Sequence, residues 1–179
     1  MPKEETLEVG TRHTKLKIGI PSEDHAVESR VPLTPEAVEI LTAHGHEIYI
    51  EAGAGKAANY LDTDYSERGG LIMDNKQEVY HSTDLLLKIS PPTLREIGWM
   101  KERQTLLSSF QVFTHCEEKY IRGLMEKKVS AISFEKIQDE HKCFPAVRSM
   151  SAIAGTTSML IAAEYLSNAQ NGQGILLGG

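Results

Sequence analysis

The chain has 179 residues, enough to bury a core without a disulfide or metal staple, so it reads as one domain, or one domain plus a piece of another. Nineteen Lys and Arg against 25 Asp and Glu give a formal charge of −6, which argues against a generic nucleic-acid backbone binder. Charged residues at 25% exclude global disorder, no apolar run approaches a membrane span, and the opening residues and two cysteines suggest neither a secretory signal nor a disulfide framework, so a reduced, cytoplasmic protein is expected.

Residues 1–15 are polar and unpatterned and are expected to form a flexible leader. Leu16 to Ile20 is a short apolar run ended by Pro21, which predicts a buried strand. Thr34 before Pro35 and Glu36 predicts a helix start, with Ala37, Val38, Ile40 and Leu41 on its apolar face and Gly45 as its stop. Glu47 to Glu51 alternates as a second strand. Asp62 to Gly69 predicts a short helix, Leu71 to Met73 a third strand, and Asn75 to His81 another helix. Asp84 to Ile89 is an apolar strand broken by Pro91 and Pro92. Thr105 to Phe110 is a fifth strand. An amphipathic helix through Ile121, Leu124 and Met125 spans 117–128, and Val129 to Phe134 is a sixth strand.

After Pro145 the texture changes. Ser149 to Asn168 is rich in small residues and apolar nearly all round, the pattern of a helix buried between two bodies. Asn171-Gly172 predicts a turn, and Gly174 to Leu177 a brief last strand. Apolar strands alternating with helices predict an α/β fold, a parallel sheet with helices on both faces. Ligands of such sheets bind beyond the carboxyl ends of the strands. That singles out residues 23–30, Lys88 and residues 109–116.

Arg30, in the loop after the first strand, is either a surface arginine or a guanidinium placed to grip a carboxylate through two parallel hydrogen bonds. Lys88 follows three strand leucines. It is either an edge-strand lysine or a cation in the ligand crevice. Gly53-Ala54-Gly55-Lys56-Ala57-Ala58 fits a G-x-G-x-x-A nucleotide pattern, but Asn59-Tyr60-Leu61-Asp62 reads as loop where a helix is required, so a tight glycine turn is preferred. His115, Cys116, His141 and Cys143 lack zinc-site spacing, and no metal is expected. Ser108 and Ser109 lack a nucleophile-elbow frame.

Many ordered stretches are similar to one family. They are Ile18-Gly19-Ile20-Pro21, the run from Glu28 to Pro35, Gly45-His46-Glu47, Glu51 to Gly55, Asp84 to Lys88, Ser151 to Gly155, and Gly174 to Gly179. From about Lys17 onward the chain resembles the amino-terminal half of the alanine dehydrogenase and nicotinamide nucleotide transhydrogenase alpha-subunit family. Its closing Gly-Ile-Leu-Leu-Gly-Gly favours the alanine dehydrogenase branch. The resemblance implies a Rossmann- or flavodoxin-like substrate domain over 16–147. Residues 148–179 would then be an interdomain helix and the start of an NAD-binding domain lying beyond Gly179.

It further implies oxidation of L-alanine with NAD and water to pyruvate, ammonia and NADH. Arg30 and Lys88 would hold the substrate carboxylate and carbonyl, and Met150 and Ser151 would approach the nicotinamide. Two positions depart from the family. Gln111 stands where its dehydrogenases carry a histidine, and an amide can donate a hydrogen bond but cannot exchange a proton near neutral pH. His115, four residues on, is the other imidazole within reach. Ala152 replaces the family's usual acid. Residues 1–179 are therefore expected to hold half of an active site, inactive alone. They are also expected to self-associate into homo-oligomers through the apolar 149–168 helix. A split transhydrogenase alpha subunit with membrane partners, a saccharopine-type dehydrogenase relative and a non-catalytic carboxylate-binding module are the alternatives. The expected partner is a small amino-acid or 2-oxo-acid substrate, a membrane partner is expected only if the transhydrogenase reading holds, and no nucleic acid is expected.

Overall fold

The computed structural model describes residues 15–110 and 118–177. In chain order the elements are β1 (Lys17–Ile20), α1 (Pro35–Ala43), β2 (Glu47–Glu51), α2 (Asp62–Ser66), β3 (Leu71–Met73), α3 (Lys76–Ser82), β4 (Leu85–Leu87), α4 (Leu94–Trp99), β5 (Thr105–Ser108), α5 (Glu118–Glu126), β6 (Ser130–Ser133) and α6 (Pro145–Leu166). They fall into two compact units, residues 1–132 and 133–179.

The strands form one sheet in the order β3-β2-β1-β4-β5-β6. The registers β1–β2, β1–β4, β2–β3 and β4–β5 are all parallel. The chain therefore builds outward from β1 to β3, returns to the middle, and builds outward the other way. This is the strand order of a Rossmann-like sheet, and a crevice opens where the order reverses, beyond the carboxyl ends of β1 and β4.

Both faces of the sheet are covered at its middle strands, as their apolar runs require, while the edge strand β6 is largely exposed. Successive side chains of a strand point to opposite faces. Ile18, Ile20, Ile48, Ile50 and Leu87 meet Val38 of α1 and Tyr65 of α2 in one core. Leu86 and Leu106 meet Val79 and Tyr80 of α3, Ile97 of α4 and Leu124 of α5 in the other. Gly19 lets the end of α3 close on β1, because a Cβ there would stand 2.7 Å from the Thr83 hydroxyl oxygen.

The helix signals hold at α1, where the Thr34 side chain accepts from the Ala37 amide and Pro35 opens the helix. Two apolar faces are less buried than their periodicity implies. Ile40 on α1 is exposed, as are Ile121 and Met125 on α5, while Val38 and Leu124 are buried. Periodicity marks which side is apolar, and coverage depends on what packs there.

The glycine pattern at 53–58 is a turn, as expected. It leads into a three-residue 3-10 turn, Lys56–Ala58, and Asn59 is left-handed at φ 63°. Gly55 is needed because a Cβ would lie 2.6 Å from the Tyr65 ring. The strand expected over Gly174 to Leu177 does not form. The Gly174 amide instead donates to the Leu166 carbonyl, folding the chain back on the end of α6, and an apolar run becomes a strand only beside a partner. The helix expected from Ser149 begins earlier, at Pro145, which occupies its first turn. Among the described residues no helix is long and apolar enough to cross a membrane.

Candidate functional site

Lys88 is the first residue past β4. Its amide still bonds to the Leu107 carbonyl, so the sheet fixes its backbone. Its side chain is only 3% exposed, and Nζ donates to Glu23 Oε2 at 3.0 Å. Glu23 follows β1, on the far side of the crevice. Its second oxygen, Oε1, accepts from the Ile89 amide at 2.7 Å. Burial of either charge alone would cost several kcal/mol, so the pair and the amide are what make this polar floor tolerable.

A second carboxylate approaches from α4. Thr93 and Glu96 form a capping box: Thr93 Oγ1 accepts from the Glu96 amide at 3.2 Å, and Glu96 Oε2 accepts from the Thr93 amide at 2.7 Å. The other oxygen, Oε1, is left to face two ammonium groups, Lys76 at 3.5 Å and Lys88 at 3.8 Å. Lys76 also donates to the Ser22 carbonyl at 2.7 Å and lies 3.7 Å from Glu51 Oε2. That same Glu51 oxygen accepts from the Ser22 amide at 2.7 Å. The network thus ties the ends of β1, β2 and β4 to the starts of α3 and α4.

Burial pushes the Glu96 carboxyl up. The Lys88 charge, the Thr93 amide and the Lys76 charge outweigh it and hold the group below the usual carboxylate range. A depressed folded pKa contributes stability above the unfolded value of about 4.3, and that stability is lost as pH falls through the lower folded value. The urea midpoint is therefore expected to fall below about pH 5, with a shallower acid limb in Glu96→Gln. Identical acid limbs in the two proteins would remove Glu96 as a contributor.

These groups open onto a cleft of about 500 Å³ whose walls include Glu23, Lys76, Lys88, Ser90, Glu96 and Trp99. Arg95 stacks over the Trp99 ring at 5.2 Å and Tyr80 meets that ring edge-on, which fixes this wall. Arg30 lies on the surface, outside the described lining of the cleft. Its Nε and Nη2 reach the two oxygens of Glu28 at 2.8 and 2.7 Å. The Glu28 hydrogen bond keeps the guanidinium pKa above its ordinary value against partial burial, with smaller contributions from the charges of Glu28 and Glu23. A fork that already holds one carboxylate has the geometry to hold another.

The structure thus brings Lys88 into the crevice and leaves Arg30 paired outside it. Gln111, like His115 and Cys116, lies outside the described residues. Met150 and Ser151 belong to α6 in the second unit. Glu23 lies in the loop after β1, where the sequence alone gives it no role. Glu51, Lys76 and Glu96 were not singled out, although Thr93-Leu94-Arg95-Glu96 is itself a helix-start pattern. At 139–143, Asp139 accepts from the His141 and Cys143 amides in a turn, and the described residues hold no metal-binding cluster.

The crevice is not built for a dinucleotide. The loop after β1 is Pro21-Ser22-Glu23, with no glycine to admit a pyrophosphate, and Glu23 and Glu51 would repel one. Glu51, placed at the end of β2 where an acid could read a ribose, is already engaged by Ser22 and Lys76. This crevice therefore does not fit NAD.

Residues 19–154 match the family described as alanine dehydrogenase/PNT, N-terminal domain. An alanine dehydrogenase of Methanococcus maripaludis is 34% identical over 162 residues, and one of Staphylococcus saprophyticus is 37% identical over the same length. Each alignment covers 90% of this chain and 43% of the relative, so the chain spans less than half the length of the curated relatives it matches. A solved L-alanine dehydrogenase superposes with a TM-score of 0.82 at 30% identity, over 92% of this chain and 45% of that one. A transhydrogenase from Sinorhizobium meliloti shares the fold, with a TM-score of 0.60 at 22% identity over 66% of this chain and 35% of its own. With the family pattern matched from Gly19 into α6, and the sheet superposing on a solved member, the chain belongs to the alanine dehydrogenase/transhydrogenase N-terminal domain family.

Proposed function

We propose that the crevice between β1 and β4 is the carboxylate-binding half-site of an NAD-linked amino-acid dehydrogenase acting between L-alanine and pyruvate. The carrying observation is Lys88, buried at the reversal point of the sheet and lining an open cleft. Lys88 holds the substrate carbonyl and carboxylate region. Arg30 grips the carboxylate by exchanging it for Glu28, and Gln111 donates a neutral hydrogen bond where a histidine would carry a proton. NAD supplies the hydride acceptor, which the crevice between β1 and β4 does not hold, and Met150 and Ser151 approach its nicotinamide side. The substrate domain spans 16–147, and the protein works in the cytoplasm as a homo-oligomer.

Titration of the chain with pyruvate, followed by calorimetry or amide shifts, tests the binding half of this reading. Arg30→Ala is expected to weaken binding by about 1.5–3 kcal/mol, and Lys88→Gln by at least as much. Wild-type affinity in both variants would remove the site assignment. Gln111 favours one second reading, a module that binds a carboxylate without hydride transfer. A full-length protein that binds pyruvate yet never reduces NAD with alanine would select it.

A further inference from the structure

We propose that Glu96 sets the cleft's preference for monocarboxylates over dicarboxylates. The inference rests on the carboxylate-binding reading above and assigns the specificity of that site to a residue outside the motifs that first drew attention to it. Its basis is the charge balance of the lining. Among the described residues that wall the cleft, Lys76, Lys88 and Arg95 stand against Glu23, Asp24 and Glu96, so the cleft is neutral.

The cations are not equally engaged. Lys88 has one hydrogen-bonded carboxylate, Glu23, while Glu96 stands at 3.8 Å, beyond hydrogen-bond length, so ammonium hydrogens remain for one ligand. Lys76 is partly exposed and sits between Glu51 and Glu96, with a hydrogen bond to the Ser22 carbonyl. Glu96 Oε1 therefore occupies the place between the two lysines where a second ligand carboxylate would go. A single carboxylate meets Lys88. A dicarboxylate meets the Glu96 charge where it needs a cation, and repulsion against one competitor is a direct route to specificity.

The capping box makes the idea separable from folding. Glutamine at the third helical position keeps the reciprocal bond to the Thr93 amide, so Glu96→Gln removes the charge and leaves the cap. The probes are pyruvate and 2-oxoglutarate, titrated into the full chain by calorimetry. Wild type is expected to favour pyruvate. Glu96→Gln is expected to raise the affinity for 2-oxoglutarate relative to pyruvate by about tenfold or more, the scale of one close charge pair, and Lys76→Met in that background is expected to cancel the gain. Glu96→Ala makes the same charge change but gives up the bond to the Thr93 amide, so it is read against Thr93→Ala, which weakens the cap and keeps the charge.

An unchanged ratio in the Glu96 variants overturns the inference, as does wild type binding 2-oxoglutarate as tightly as pyruvate. A gain that also appears in Thr93→Ala, which removes the hydroxyl of the cap and keeps the charge, overturns it too. If wild type fails to bind pyruvate while Glu96→Gln gains 2-oxoglutarate, the alanine reading and the monocarboxylate preference fall, and only the exclusion of dicarboxylates by Glu96 stands.

Discussion

Replacing Lys88 with alanine is expected to lower the free energy of unfolding by about 3–5 kcal/mol, the cost of leaving a buried partner charge uncompensated, and to abolish pyruvate binding. Glu23 is 3% exposed, with one oxygen on Lys88 and the other on the Ile89 amide. Once the ammonium is gone, the carboxylate must stay charged in a poor solvent, take up a proton, or swing out and abandon the Ile89 amide. Each alternative costs the native state. The paired substitution Glu23→Gln with Lys88→Met removes both charges at similar volume and is expected to recover most of the stability, because no buried charge is left unpaired and the glutamine oxygen still accepts from the Ile89 amide. It is not expected to recover pyruvate binding. Urea denaturation of the two singles and the double measures the coupling, and additive losses would mean that the two side chains do not act as a pair.

Gln104→Leu is the second large effect, about 2–4 kcal/mol, and it should act on stability alone. Gln104 is buried, and its amide nitrogen donates to the Tyr80 and Thr83 carbonyls at 2.8 Å each. Its oxygen accepts from the Lys101 amide at 3.1 Å. The last carbonyls of a helix have no partner within the helix. Gln104 reaches from just before β5 to satisfy those at the end of α3. Leucine fills the space but leaves buried carbonyls unpaired, at about 1–3 kcal/mol each. Urea titration reads the loss. Pyruvate affinity in the absence of urea should stay within a few fold, since no Gln104 contact reaches the cleft. A loss of affinity as large as that of Lys88→Gln would refute a purely structural role.

The strands were legible because a parallel sheet covered on both faces writes itself as short apolar runs, and Leu85-Leu86-Leu87 is the clearest case. Lys88 was legible for the same reason, as a cation where the run predicts another apolar residue. Its partner was not. An ion pair between residues 65 positions apart leaves no local trace, and only the pairing of β1 with β4 brings Glu23 to Lys88. The helix α4 escaped notice because six residues show less than two turns of periodicity, and its one strong mark, Thr93 to Glu96, sits behind two prolines. The run at 174–177 failed in the opposite sense. It has strand composition, but its backbone bonds to the end of α6.

The order in which the sheet is built has a kinetic consequence. A nascent chain exposed as far as Asp84 can already fold β1, β2 and β3 against one another, but it carries Glu23 without Lys88. The carboxylate then stays hydrated, because nothing yet repays its transfer out of water. Only when β4 docks beside β1 do dehydration, the ion pair and the Ile89 hydrogen bond arrive together. Closing so long a stretch of chain costs entropy before the pair forms, and interactions made only after the transition state do not speed folding. They act instead by slowing the way back. A pair formed on the native side of that barrier is a latch on the lifetime of the folded state, read as faster unfolding in Lys88→Ala at an unchanged folding rate, and a bound carboxylate would stabilise that state further.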